Sequence, residues 1–204
     1  MKPNEFPTKS NLMAAKNSLA LATQGYDLMD KKRNILIQEL FHLIEEASSI
    51  QSEIDSTFTR AYKALQLANI ELGIHSVEEI AAAVPVMDSI TIKTRSIMGT
   101  EIPLVEYEKE PLRPAFSYYG TRESLDLALA CFDKVKELTI RLSMIENSAY
   151  RLATNIKKTQ KRANALKNIT IPTYKNLSAH ISNALEEKER EEFTRLKVIK
   201  RMHG

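Results

Sequence analysis

From Leu12 to Ala68 an apolar residue returns every seven positions, and a second apolar row follows three residues behind the first. The first row carries Leu12, Leu19, Tyr26, Arg33, Leu40, Ala47, Ile54, Ala61 and Ala68. The second carries Ala15, Ala22, Met29, Leu36, Leu43, Ile50, Thr57 and Ala64. Arg33 and Thr57 are the two departures. Two rows held in phase at a period of seven predict a left-handed coiled-coil seam. Pro7-Thr8 supplies a start, because proline disfavours helix before it and threonine caps. Gly73 supplies a C-cap, and no proline falls between Thr8 and Leu72. A helix over 8–72 at 1.5 Å per residue is a rod of roughly 100 Å. The many seam alanines let two helices approach closely, while each layer buries less apolar area. Around Ala61 to Ala68 the stripe widens to include Phe58, Tyr62, Leu65 and Leu72, which predicts that a third element packs there.

The same period returns in the second half. Ala128, Val135, Leu142, Ala149, Ile156 and Ala163 form one row; Cys131, Leu138, Ile145, Leu152, Thr159 and Leu166 form the other. Thr121 is the expected cap. Pro172 removes a helical donor and predicts a kink. Helical spacing resumes with Tyr174, Leu177, Ile181, Ala184 and Leu185, then passes into the charged run Glu186 to Glu192 and a basic end. Charged residues make up 27% of the 204-residue chain and aromatics 6%, with five Gly and no Trp. That balance belongs to long helices rather than to an aromatic-fed globule.

Residues 73–120 interrupt the pattern and hold most of the prolines and glycines. Ser76-Val-Glu-Glu79 reads as a capping box opening a short helix that Pro85 stops. Ser89 to Thr94 alternates like a strand, Met98-Gly99-Thr100 turns, and Glu101 to Tyr107 returns. Pro103 cannot donate to a ladder, so its strand should be an edge or bulged. A lone hairpin is marginal in water, so it must lean on the helical stem, where the widened stripe offers a place. Pro111 to Gly120 reads as a loop. The fold class is therefore all-α: one elongated domain over 1–204, a long antiparallel two-helix coiled coil (8–72 and 121–200, kinked near Pro172), with a middle segment holding a short helix and a β-hairpin. The termini should lie together, with the C-terminus protruding by about 20 Å.

Little in the chain suggests chemistry of its own. There is no Gly-x-x-x-x-Gly-Lys-Ser/Thr loop for a nucleotide. His42, His75, His180 and His203 share no ligand spacing, so no metal is expected. Cys131 occupies a seam position and reads as core. Arg33 reads as a snorkelled stem that fixes register. The basic run Lys157, Lys158, Lys161, Arg162 and Lys167 lacks the interleaved aromatics a nucleic-acid platform uses, and the net charge is only +3. Lys197, Lys200 and Arg201 suit a helix C-terminus, where cations complement the macrodipole. The opening residues lack the apolar stretch of a signal peptide, and no segment approaches the ~20 apolar residues of a membrane span. A soluble, cytoplasmic protein is expected.

Three stretches resemble the D subunit of the rotary V-type/A-type ATPases. They are Pro7-Thr-Lys-Ser-Asn-Leu12 with Ala22-x-x-Gly25-x-x-Leu28-x-x-Lys31-Lys-Arg33; Lys161-Arg-Ala-Asn-Ala-Leu166 followed by Ile171-Pro172; and Leu185-Glu-Glu-Lys-Glu-Arg-Glu-Glu-Phe193-x-Arg-Leu-Lys197. Ala163 and Lys167 stand where the family has Val and Glu. The resemblance spans Pro7 to Lys200. It implies a central stalk, the rotor axle, which carries torque between ATP turnover and ion transport and is not itself catalytic. It implies as partners the catalytic and regulatory ring subunits, the small F subunit of the central stalk, and the funnel-shaped subunit capping the membrane rotor ring. No cofactor, nucleic acid or direct membrane insertion is implied, and the place is the cytoplasmic side, peripheral to the membrane. The contacts expected on that reading are Lys9, Lys197, Lys200 and Arg201 at a tip inside the catalytic ring, and Ile90, Ile92, Ile102 and Leu104 on the hairpin. A stand-alone coiled-coil adaptor is an alternative, but it has no use for the hairpin or the Asn-Ala-Leu…Ile-Pro pair. A nucleic-acid-binding helical arm is a third, and would bind RNA with steep salt dependence.

Overall fold

The structure, a computed structural model, describes residues 6–84, 90–107, 116, 117 and 119–202. Helix α1 runs Lys9–Leu72 and α2 Ile74–Ala83. Strands β1 (Ile90–Ile97) and β2 (Thr100–Tyr107) follow. Helix α3 spans Glu123–Ala165, a π turn Leu166–Thr170, and α4 Ile171–Met202. The fold is thus a long helix pair with a small two-stranded antiparallel hairpin in the middle. The chain divides into two compact units. One is Leu36–Asn155; the other combines the chain up to Ile35 with the chain from Ile156 on.

The start of α1 follows the sequence. Thr8 Oγ1 accepts from the Asn11 backbone N–H at 3.2 Å, filling one of the donors a helix start leaves unpaired. Gly73 ends α1 with φ 85°, a conformation a Cβ disfavours. The next helix begins at once. α2 opens at Ile74, two residues before the Ser76 expected to cap it, with Val77 N–H donating to Gly73 O at 3.3 Å. The glycine serves both helices because its reversal leaves its own carbonyl aimed into the next turn. Pro85, Ser89 and the segment 108–115 lie outside the described residues, so the expected stop at Pro85 and much of the expected loop do too.

In the Leu36–Asn155 unit every seam residue of both helices is buried or half-buried. Ile50, Ile54, Leu138 and Ile145 form its centre, with Leu43, Ala47, Phe58 and Leu142 packed around them. Glu46 pairs with Arg141 and Glu53 with Lys134, each at 2.7 Å. A heptad forward in α1 is thus a heptad back in α3, so the helices are antiparallel and in phase. Thr57, buried in the seam, donates to Glu53 O of its own helix at 2.7 Å, and its polarity is satisfied locally.

The widened stripe is covered by α2. Val77 packs with Ala68 and Leu125, and Leu65, Leu72, Ile80 and Phe116 join the cluster. Tyr62 stacks on Phe58 and meets the edge of Phe132. The hairpin, expected to lean on this stripe, instead rests on α3. Asn155 Nδ2 donates to Thr100 Oγ1, Arg151 Nη1 to Glu101 O at 3.2 Å, and Val105 N–H to Met144 Sδ at 3.3 Å. The physical reason is reach: α2 already occupies the stripe, and the turn end of β2 finds polar partners a few turns along α3.

The hairpin closes on Met98 and Gly99, with φ 48° and 71°; positive φ at both central residues is the type I′ arrangement that matches strand twist. Ile97 opposite Thr100 is the first ladder pair. Hydrogen-bonded and non-bonded pairs then alternate, which puts Thr94–Pro103 in a non-bonded pair. Pro103 therefore forfeits no ladder bond, and the register passes it without a bulge. The Val105 N–H that bonds Met144 comes from the next non-bonded pair by the same count.

In the other unit the seam continues, with a change of phase. Thr159 is buried and Leu166 half-buried, seven apart. The next residues of that row are Tyr174 and then the fully buried Ile181; Thr173 and His180 are exposed. One residue has been inserted, and the π turn takes it up, with the Ile171 N–H reaching back five residues to Leu166 O. A π turn adds one residue without rotating the faces on either side. Pro172, where a kink is expected, stands two residues past the end of this π turn. Thr173 Oγ1 donates to Ile169 O at 2.7 Å beside it.

Two consequences can be measured. Ile145→Ala removes a nearly fully buried seam side chain and should destabilise by about 2–5 kcal/mol, read as a lower urea midpoint with unchanged m-value. Met98→Asn relieves a left-handed methionine and creates the favoured Asn-Gly turn, so it should stabilise the hairpin by up to about 1 kcal/mol; slower amide exchange across β1 and β2 would report it.

Candidate interaction surfaces

Two groups of side chains present themselves outward, one in each unit. In the terminal unit Lys9 Nζ lies 3.4 Å from Glu189, both ends well exposed. This pair sets the start of α1 beside Glu189, and α4 continues from there to Met202. At 1.5 Å per residue that continuation measures roughly 20 Å, the protrusion expected. Lys197, Lys200 and Arg201 all stand exposed on it. So do Phe193, Leu196, Ile199 and Met202, spaced three apart, which gives the segment apolar as well as basic surface. In the sequence the charges interleaved with this stripe mask it. Leu21, Leu28 and Ile35, a third row seven apart on α1, are exposed too.

Arg33 is not a stem reaching into solvent. Its guanidinium is held at 2.6 Å from Asp30, bonds Asn34, and donates through Nη1 to Gln160 across the seam at 2.8 Å. Gln160 in turn donates to Asn164 at 2.7 Å. Burial of a charge is tolerable when it is paired in this way, and the cross-helix bond fixes register, which is the role expected of it.

On the hairpin, Ile92 is 69% exposed, and Ile90 and Leu104 are also open. Ile102 differs: it is only 7% exposed and is taken up by the chain's own packing. Ile90, Ile92, Pro103 and Val105 form one wall of a cleft of about 440 Å³. Ile140, Met144, Asn147 and Arg151 belong to its other wall. These four recur at helical spacing on a face of α3 away from the seam. That second stripe was the sequence signal that could have located the cleft.

Cys131 is buried in the seam. Among the described residues no cluster of three His, Cys, Asp or Glu side chains is placed to hold a metal, and no helix is long and apolar enough to cross a membrane. Of the basic run, Lys157, Lys158, Lys161, Arg162 and Lys167, Lys167 Nζ lies 5.8 Å from the centre of the Tyr26 ring, a cation–π distance.

The family described as the D subunit of ATP synthase matches residues 11–201 of the chain. The V-type ATP synthase D subunit of Thermotoga neapolitana is 47% identical over 194 residues, covering 95% of this chain and 96% of its own. The A-type ATP synthase D subunit of Pyrococcus furiosus is 38% identical over 197 residues, covering 95% and 92%. A match over 11–201 takes in nearly all of both long helices and the hairpin between them: the chain belongs to the family of ATP synthase D subunits.

Proposed function

We propose that this chain is the central stalk, the rotor axle, of a V-type/A-type ATPase. On this reading it is a non-catalytic subunit. It transmits torque between ATP turnover in a ring of catalytic and regulatory subunits and ion transport through the membrane rotor, on the cytoplasmic side of the membrane. The observation that carries this reading is the family match over 11–201, laid on a long helix pair with a small hairpin in its middle.

The physics of an axle agrees with the side chains. A shaft turning in a bearing must not bind one angle too tightly, since each step has to break that contact. Coupling requires only that contacts differ in free energy from one angle to the next. Long flexible cations such as Lys9, Lys197, Lys200 and Arg201, exposed and screened by water, make contacts of this modest strength. They form the tip that works inside the catalytic ring. The apolar stripe Phe193, Leu196, Ile199 and Met202 adds a non-directional component, because burial of apolar area does not demand a fixed geometry. The hairpin serves a different purpose. Ile90, Ile92 and Leu104 with the adjoining cleft offer apolar area that a co-rotating partner covers permanently, in the stalk assembly with the small F subunit and the funnel-shaped subunit.

Expression with the ring subunits tests the assignment. The chain should co-purify with them, and its omission should leave ATP hydrolysis uncoupled from ion pumping. Replacing Lys197, Lys200 and Arg201 together by Glu should change the ratio of ions pumped to ATP hydrolysed by up to about tenfold, the factor that 1.4 kcal/mol supplies. Unchanged hydrolysis and unchanged pumping in that variant would remove the tip contact. Ile92→Glu places a charge on the cleft rim and should weaken retention of the co-rotating subunits in gel filtration while leaving the chain's own helicity intact.

A further inference from the structure

We propose that the terminal unit contains a flexural joint, a level at which both helices are softened together: Gly25 in α1, and beside it the π turn Leu166–Thr170 followed by Pro172. The inference rests on the stalk reading for its mechanical role, but the joint itself is argued from this chain alone.

Gly25 sits inside a continuous helix and its backbone is not left-handed. Packing does not demand it either. A Cβ built at this position meets only Leu166 Cδ1 within 4 Å, at 3.7 Å, an ordinary contact. Alanine would fit and would favour the helix. A glycine kept where neither backbone nor packing needs it lowers helix rigidity.

The second helix is weakened at the same height. Leu166, the residue nearest Gly25, is the first residue of the π turn, and Lys167 lies over the ring of Tyr26. The π turn interrupts the regular four-residue ladder of the helix, and Pro172 supplies no backbone donor. Firm structure brackets this level on both sides. Below it Arg33 clamps Gln160 at 2.8 Å; beyond it Ile181 is fully buried. Two coincident soft points between two fixed layers make a local hinge and leave the register of the pair untouched. In a turning stalk such a hinge lets the end inside the ring yield while ring contacts change by steps, so that load is spread over the step.

Gly25→Ala tests the first half of the joint and Pro172→Ala the second. In the isolated full chain Gly25→Ala should slow amide exchange at Tyr26 to Met29 about fivefold, equivalent to about 1 kcal/mol at 1.4 kcal/mol per tenfold, and should raise Tm. Pro172→Ala should slow exchange around Thr173 and Tyr174. In the complex reassembled with the ring subunits, either variant should lower the ions pumped per ATP against an opposing gradient at least threefold. Exchange unchanged in both variants overturns the joint. Slower exchange with pumping unchanged overturns its mechanical role. If the wild-type chain does not assemble with the ring at all, the stalk reading fails, and the exchange data still decide whether the joint exists.

Discussion

Burial of two apolar rows between antiparallel helices is the interaction on which every other feature depends. Neither helix could persist alone at this length on propensity, since most helical stability in proteins comes from the packed face. The seam is thin. Ala61, Ala64 and Ala68 fill it at one end, where Ile50, Ile54, Leu138 and Ile145 fill it further along. Small residues shorten the distance between axes and leave outer positions near the surface, so the flanks of the pair remain available. The extra element α2 is added where the seam is poorest in volume, and Val77 and Leu125 supply against Ala68 what alanine does not.

Polar groups in the seam are handled in two ways, and the difference has mechanical meaning. Thr57 turns its hydroxyl back onto its own helix and asks nothing of the partner. Arg33 reaches across to Gln160 while Asp30 neutralises it. The first kind of group permits sliding by a heptad; the second opposes it, because a slipped register would take Gln160, its cross-helix acceptor, from a half-buried guanidinium. A pair of helices built mainly from interchangeable alanines and leucines needs such a marker, and it lies one heptad or so from the inserted residue that changes the phase of the second helix.

The surfaces left after the seam, α2 and the hairpin are satisfied are of two chemical kinds. On α4 beyond Glu189 they mix cations with single apolar side chains. On the hairpin Ile90, Ile92, Pro103 and Val105 line one side of a cleft, and Leu104 lies on the other face of the ladder. Under the stalk reading proposed above, the first kind suits transient contacts and the second lasting ones.

The period of seven, both seam rows, the Thr8 cap, the Gly73 break and the hairpin with its turn were legible from residue order, because each is decided by neighbours within a few positions. The phase change was legible as well, in the eight-residue step from Leu166 to Tyr174 where seven were due, although a proline six residues on reads more readily as a kink than as the partner of a π turn. What required the tertiary structure was every choice among equally apolar faces: that α2 and not the hairpin covers the stripe at Ala68, that Ile102 turns inward while Ile92 does not, that Arg33 finds Gln160. Those outcomes depend on which surfaces fit each other and on distances of an ångström or two between residues far apart in the chain. Periodicity holds no information about either, since it records which faces are apolar and not which faces meet.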